Sequence, residues 1–236
     1  MICKIAEQYI DIHALYPSTE RFCAAYVCAD APHVDFSVEM CEADIDREAE
    51  RDPVARRLSR PYLEQIALCR KICAEMLCRS SFLMHCAVIE YEGRGYAFAA
   101  QSGTGKTTHI RLWQKRFGRD RVTIINGDKP ILRCADGKIY AYGTPWCGKE
   151  GYNTNTCVPL HALCFLERAE HNSISPLSDT EAMPKLFGQL MIADSSDLAT
   201  QLELLDRLVT AVPMYRLRCN MDIEAAKVAY EGTNRK

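Results

Sequence analysis

Ala100-Gln101-Ser102-Gly103-Thr104-Gly105-Lys106-Thr107-Thr108 is the stretch on which the fold reading turns. A strand-like run, Tyr96-Ala97-Phe98-Ala99, leads into it, and a helix-like run from about Thr107 to Phe117 leads out. Glycines at 103 and 105 let backbone N–H groups turn inward and approach an anion with no Cβ in the way. The start of the following helix adds unpaired N–H groups and a partial positive charge. The order G-x-x-x-x-G-K-[ST] of a Walker A phosphate-binding loop (P-loop) is kept, except that Ala100 stands where the first glycine belongs. In that pattern Lys106 reaches the β/γ-phosphates and the Thr107 hydroxyl ligates Mg²⁺. Ser102, Gly103, Thr104, Gly105, Lys106, Thr107 and Thr108 are therefore the residues expected around a nucleoside triphosphate. The blander alternative is a glycine-rich turn before an ordinary helix.

Working outward, Phe82 to Tyr91 reads as a strand, Glu92-Gly93-Arg94-Gly95 as a turn and Tyr96 to Ala99 as the return strand. A hairpin centred between Gly93 and Arg94 places His85 across from Ser102, beside the expected phosphates. Downstream, Val122-Thr123-Ile124-Ile125-Asn126 is a short buried-type strand that ends at Gly127-Asp128-Lys129-Pro130. An acidic residue at the tip of such a strand is a Walker-B-like arrangement. Asp128 is thus the candidate to hold Mg²⁺ or to take a proton from an attacking hydroxyl; a turn aspartate before proline is the alternative.

The rest of the chain sets the frame. Its 236 residues carry a net charge of −2 with both signs interspersed, which gives no basic footprint for nucleic acid and no polybasic membrane anchor. No apolar run approaches a membrane span, and the first residues lack the apolar core of a signal peptide. The thirteen cysteines are scattered without a C-x-x-C pair. Together these point to reduced thiols in the cytoplasm. Residues 1–40 look β-rich, with Ile2 to Ile12, Phe22 to Cys28 and His33 to Met40 as strands. The charged run 42–51 reads as a solvated helix face or a connector. Pro61 opens a helix over Tyr62 to Cys78.

After Asp128, a hairpin around Ala135-Asp136-Gly137 delivers the chain to a long loop, Gly143 to Asn155, suited to acceptor binding or to a lid. Ala162 to Leu166 reads as a buried strand and Val212 to Cys219 as a late one. Leu198, Leu202, Leu205 and Leu208/Val209 suggest a core-facing helical stripe, with a closing helix over Met221 to Tyr230. Arg216 and Arg218 read as surface arginines on an alternating strand, within possible reach of a phosphate.

With His85, the hairpin, Ser102-Gly103-Thr104-Gly105-Lys106-Thr107 and Asp128 assembled, the chain resembles the HPr kinase/phosphorylase catalytic domain. The loop is also similar to that of ATP-dependent phosphoenolpyruvate carboxykinases, which share this P-loop fold. The resemblance is specific over about His85 to Arg168. It implies an α/β fold, a mixed β-sheet with flanking helices; along the chain, residues 81–236 read as the P-loop kinase core and residues 1–80 as a β-rich segment plus helix packed on it. It further implies ATP and Mg²⁺ as cofactors, with the γ-phosphate passed to a hydroxyl. By position, His85 matches the family's active-site histidine and Asp128 the second of two consecutive aspartates, the first being Gly127 here. Lys106, His85 and Asp128 are then the catalytic candidates, with Thr107 and Asp128 at the metal. The signature associated with the phosphorylase reaction is not recognisable around Thr144 to Asn155. The expected acceptor is serine in a peptide or small protein. A small-molecule kinase acting on free serine, or an ATP-binding regulator with little turnover, are the alternatives.

Overall fold

The structure is a computed structural model that describes residues 1–51, 53–191 and 198–235. The N-terminal part forms a three-stranded sheet, β1 (Ile2–Ile5), β2 (Gln8–His13) and, after helix α1 (Pro17–Cys23), β3 (Phe36–Glu39). Phe22 to Cys28 is therefore not a strand. Pro17, with its fixed φ and missing N–H, sits in the first turn of α1, and a 3-10 turn over Ala24–Tyr26 follows. The α1 N-terminus is tied down by the buried Glu64 carboxylate, which accepts from Leu15 N (2.5 Å), Tyr16 N (3.3 Å) and the Thr19 hydroxyl (2.5 Å).

Helix α2 (Glu42–Glu50) packs against α3 (Arg60–Leu77). The acidic face of α2 is less solvated than its composition suggests. Asp44 and Glu48 are buried, Glu48 held by Arg70 through two bonds (2.7 and 3.0 Å) and Asp44 by Lys71 (2.5 Å). Two charged rows that look solvent-facing in sequence thus neutralise each other between helices, because buried charges need partners.

The larger sheet is mixed and curled. The expected first strand breaks in two: β4 (Ser81–Leu83) pairs with β8 (Ile131–Ala135), whereas β5 (Cys86–Tyr91) pairs with β6 (Arg94–Ala99) and β7 (Val122–Asn126). β9 (Lys138–Tyr142) returns from β8. The twelve-residue β10 (Cys157–Arg168) joins the two halves. Its first residues pair antiparallel with β9; from Leu160 it runs parallel to β6 on one side, with a register shift between Leu160 and Ala162, and from Leu163 parallel to β12 (Met214–Cys219) on the other. A short strand not evident in the sequence, β11 (Ser173–Pro176), edges β12.

Helix α4 (Lys106–Phe117) packs on one face with α7 (Glu224–Thr233), around Trp113, Tyr96 and Phe98. Burying each such ring stabilises the fold by roughly 2 kcal/mol. Helices α5 (Asp179–Phe187) and α6 (Leu198–Ala211) supply Leu186, Leu204, Leu205 and Leu208 to a separate core cluster. The inward stripe of α6 runs through Gln201, Leu204/Leu205 and Leu208/Val209, so Leu198 and Leu202 are exposed, contrary to the sequence expectation. Leu202 lies about a quarter-turn off the centre of that face, and Leu198 is the first residue of the helix.

The β5–β6 hairpin is also tighter than expected. Its turn is the dipeptide Glu92-Gly93, both at positive φ (54° and 74°), which pairs Tyr91 with Arg94 and Cys86 with Ala99. Two residues with φ > 0 match the twist of the flanking strands better than a four-residue turn does. The register therefore sets His85 nearer to Ala100 than to Ser102.

Among the described residues, no helix is long and apolar enough to cross a membrane, and all thirteen cysteines are free thiols.

Candidate functional site

The loop between β6 and α4 bends at Gly103 (φ 79°) and Gly105 (φ 125°), and a Cβ added at either would meet nothing within 4 Å. The conformation, not crowding, demands glycine here. Gly105 is the N-cap of α4 and no side chain caps that end, so the first-turn N–H groups face the cleft without a side-chain acceptor. Arg168, at the end of β10, donates from Nε to Thr104 O (3.2 Å) and from its second nitrogen to Gly103 O. It holds the loop's carbonyls to one side.

Lys106 is almost fully buried. Its Nζ lies 3.0 Å from Ala100 O and 2.9 Å from His85 Nε2. The same Nε2 is 3.2 Å from Asp128 Oδ1. The break between β4 and β5 is what turns the half-buried His85 into this position, with its backbone N–H donating to Gln189 O (2.8 Å). The Gln189 amide, oriented by its hydrogen bonds, donates to His85 O (3.0 Å), Ala100 O (3.2 Å) and His85 Nδ1 (3.3 Å). With Nδ1 accepting from Gln189, the ring proton sits on Nε2 and is directed to Asp128. The amine then rests on Ala100 O.

Burial lowers the Lys106 pKa, and the opposing charge of Asp128 only partly offsets it. For Asp128, burial raises the pKa. The hydrogen bond from His85 and the charges of Lys129 and Lys106 outweigh that, and the carboxyl ends below its ordinary value.

Asp128 is aimed by its own turn. Asn126 Oδ1 accepts from the N–H groups of Asp128 (2.8 Å) and Lys129 (2.7 Å), while Asn126 Nδ2 donates to the Thr144 carbonyl and hydroxyl (both 3.1 Å). Thr144 in turn donates to Lys129 O (2.7 Å). Gly127 N–H donates to Tyr152 O (2.8 Å), and a Cβ there would lie 3.1 Å from Cys147 O and 3.2 Å from Tyr152 Cβ. The 147–152 loop thus closes over the place where the resemblance expects a first aspartate, and the site is left with one carboxylate on this turn.

These groups line one cleft of about 570 Å³, shared by Ser102, Gly103, Gly105, Thr107, Thr108, Lys106, His85 and Asp128. Trp146 to Glu150 form a further edge, so part of the 143–155 loop lies at the site. The wall opposite the loop is apolar and comes from the N-terminal part: Phe22, Tyr62 and Ile66. Phe22 stacks edge-on against Trp146 (centroids 6.0 Å apart). Arg216 and Arg218 are not in the cleft; both pair with Glu167 (3.3 and 3.7 Å). Among the described residues no group of three or more His, Cys, Asp or Glu is placed to hold a metal ion. The oxygen donors of Thr107 and Asp128 fit Mg²⁺ chemistry, since that ion takes few protein ligands and completes its shell with phosphate and water.

Gln189, Asn126, Thr144 and Arg168 are supporting residues that sequence reasoning did not single out. Asn126 had a signal, an Asx residue two before the key aspartate. Gln189 had none, because it arrives from the far end of α5.

Fold and cleft define a mixed α/β protein whose polar centre sits where a parallel strand meets a helix N-terminus, a usual place for ligands in such sheets. The chain belongs to the family described as ScmC, SynChlorMet cassette protein ScmC, which matches residues 60–224. No curated protein matches it. Among solved structures, it is similar to the Hpr(Ser) kinase/phosphatase from Coxiella burnetii at 8% sequence identity and a TM-score of 0.39, over 64% of this chain and 95% of that chain.

One buried group beside the loop makes a stability prediction. His109 is fully buried and its pKa is pushed down to about 3 by desolvation, from an ordinary value of 6.5. Above pH 6.5 neither state binds the proton. Below it the unfolded chain does and the folded chain does not, so stability falls as pH drops from 6.5 towards 3. The slope is about 1.4 kcal/mol per pH unit, with a ceiling of about 5 kcal/mol. Urea midpoints measured across that range should fall steeply for the native chain and markedly less for His109→Gln. Parallel curves would refute the assignment.

Proposed function

We propose that the chain is an ATP- and Mg²⁺-dependent phosphotransferase that moves the γ-phosphate to a hydroxyl, with serine in a peptide or small protein as the acceptor class. The observation that carries this is the convergence of Lys106, His85 and Asp128 within hydrogen-bond reach at the open end of a glycine-turned loop. Phosphoryl transfer needs positioning and charge neutralisation more than covalent help from the protein.

In this reading the first-turn N–H groups of α4 hold the phosphates. Lys106 leaves Ala100 O, since a phosphate oxygen is a stronger acceptor than a neutral carbonyl. Thr107 and Asp128 would hold Mg²⁺, which when bound neutralises phosphate charge. Asp128 orients the acceptor hydroxyl and takes its proton, with His85 fixing the carboxylate through Nε2–H. Phe22, Tyr62 and Ile66 exclude water on the acceptor side. That wall favours an acceptor carrying apolar surface beside its hydroxyl.

The single carboxylate on the 126–129 turn supports a second reading, a nucleotide-binding regulator that barely turns over. Calorimetry with ATP and Mg²⁺, paired with a γ-phosphate release and transfer assay, separates the two. Binding with release or transfer is the expected result. Binding without either favours the regulator, and no binding defeats both.

A further inference from the structure

A second pocket, of about 430 Å³, opens on the other side of the same loop. It lies beyond the carboxyl ends of β6, β10 and β12, three mutually parallel neighbours, between the start of α4 and the segments that follow β10 and β12. It shares Gly103, Gly105 and Thr108 with the cleft that holds Lys106. A ligand with its phosphates in that cleft can therefore pass over Gly105 and Thr108 into this pocket.

The lining is unlike the cleft's: Leu112, Leu166 and Met221 give it apolar walls. Met221 is 80% exposed, a large apolar side chain left at the mouth. A thioether is a soft, adaptable surface for a flat ring. His109 also lines the pocket and is only 2% exposed. Trp113 Nε1–H, which can only donate, gives its proton to His109 Nε2 at 3.1 Å. Nε2 is thus an acceptor and the ring proton is on Nδ1, which has no hydrogen-bond partner among the described residues. A buried donor left without an acceptor is uncommon in a folded chain, and this one is free to meet an acceptor brought into the pocket.

We propose that this pocket takes the base of the nucleotide whose phosphates lie on the loop, a flat heterocycle held between Leu112, Leu166 and Met221 with a ring-nitrogen acceptor on His109 Nδ1–H. Adenine meets that description through N1, N3 or N7. The inference rests on the nucleotide reading above. It adds which residues choose the ligand's uncharged end, and a function for an imidazole that transfers no proton.

Calorimetry at fixed Mg²⁺ tests it, with inorganic tripolyphosphate and ATP as probes on the native chain, Met221→Ser and His109→Phe. The native chain should bind ATP at least about tenfold more tightly than tripolyphosphate. Met221→Ser, at an exposed position, should weaken ATP about fivefold through lost apolar contact and leave tripolyphosphate unchanged. His109→Phe keeps the ring's packing against Phe98 and should weaken ATP by a similar factor. It also strips Trp113 of its acceptor, so Met221→Ser carries the test if that variant does not fold. Equal affinity of the native chain for the two probes, or an ATP-to-tripolyphosphate ratio unmoved by Met221→Ser, overturns the base site and leaves the phosphate cradle standing. Tripolyphosphate failing to bind overturns the cradle, and the base site with it.

Discussion

Lys106→Ala is expected to lower γ-phosphate transfer by at least about a thousandfold. The magnitude follows from where the charge sits. A preorganised cation in a water-poor site, aimed where negative charge accumulates, contributes several kcal/mol to the transition state. Lys106 is buried at the N-terminus of α4, 2.9 Å from His85 and 3.0 Å from a carbonyl that a phosphate oxygen can replace as acceptor. Its folded-state pKa is already lowered by burial, so without a ligand the ammonium costs the fold something. The thermal midpoint of Lys106→Ala should therefore be no lower than that of the native chain, which separates a lost function from a lost fold. Tripolyphosphate affinity should fall together with the rate. Transfer within about tenfold of native, measured with γ-labelled ATP, would remove Lys106 from the site.

Sequence alone reached the strand–loop–helix unit because its signal is local. Gly103 and Gly105 mark backbone that needs positive φ, and the periodicity changes from 2 to 3.6 across them. It reached the neighbourhood of His85 and Asp128 because each ends a strand beside the loop. The details it missed depended on contacts between distant segments. The two-residue turn at Glu92-Gly93 moved the hairpin register, and Phe22 went to a helix because Glu64, far along the chain, accepts the N–H groups before α1. Gly127 in sequence is simply an absent carboxylate. In the structure it lets the 147–152 loop come down beside Asp128, with Cys147 O and Tyr152 Cβ about where a side chain would begin. The apolar wall of the cleft was invisible for the same reason: Phe22, Tyr62 and Trp146 are widely separated in sequence and meet only after folding.

The second large effect is expected at Asp128. Asp128→Asn keeps the side chain's size and its hydrogen-bonding reach but removes the negative charge, and turnover should drop by about a hundredfold or more. In the proposed reading two contributions are lost together, the oxygen donor to Mg²⁺ and the acceptor for the hydroxyl proton, and nucleotide binding without Mg²⁺ tells them from misfolding. If the γ-phosphate lies beside this carboxylate as proposed, removing the charge relieves repulsion, so metal-free ATP should bind Asp128→Asn at least as tightly as the native chain. The pH profile supplies an independent reading. Although burial pushes the Asp128 pKa up, His85, Lys129 and Lys106 together bring it below its ordinary value of 3.8. The group is then ionised across the neutral range, and protonating it cannot limit the rate until pH falls below that value. An acid limb nearer neutrality must belong to another group. Asp128→Asn turning over within a few-fold of the native rate, with unchanged Mg²⁺ dependence, would leave the histidine without a carboxylate to orient and the proposed proton path without an end.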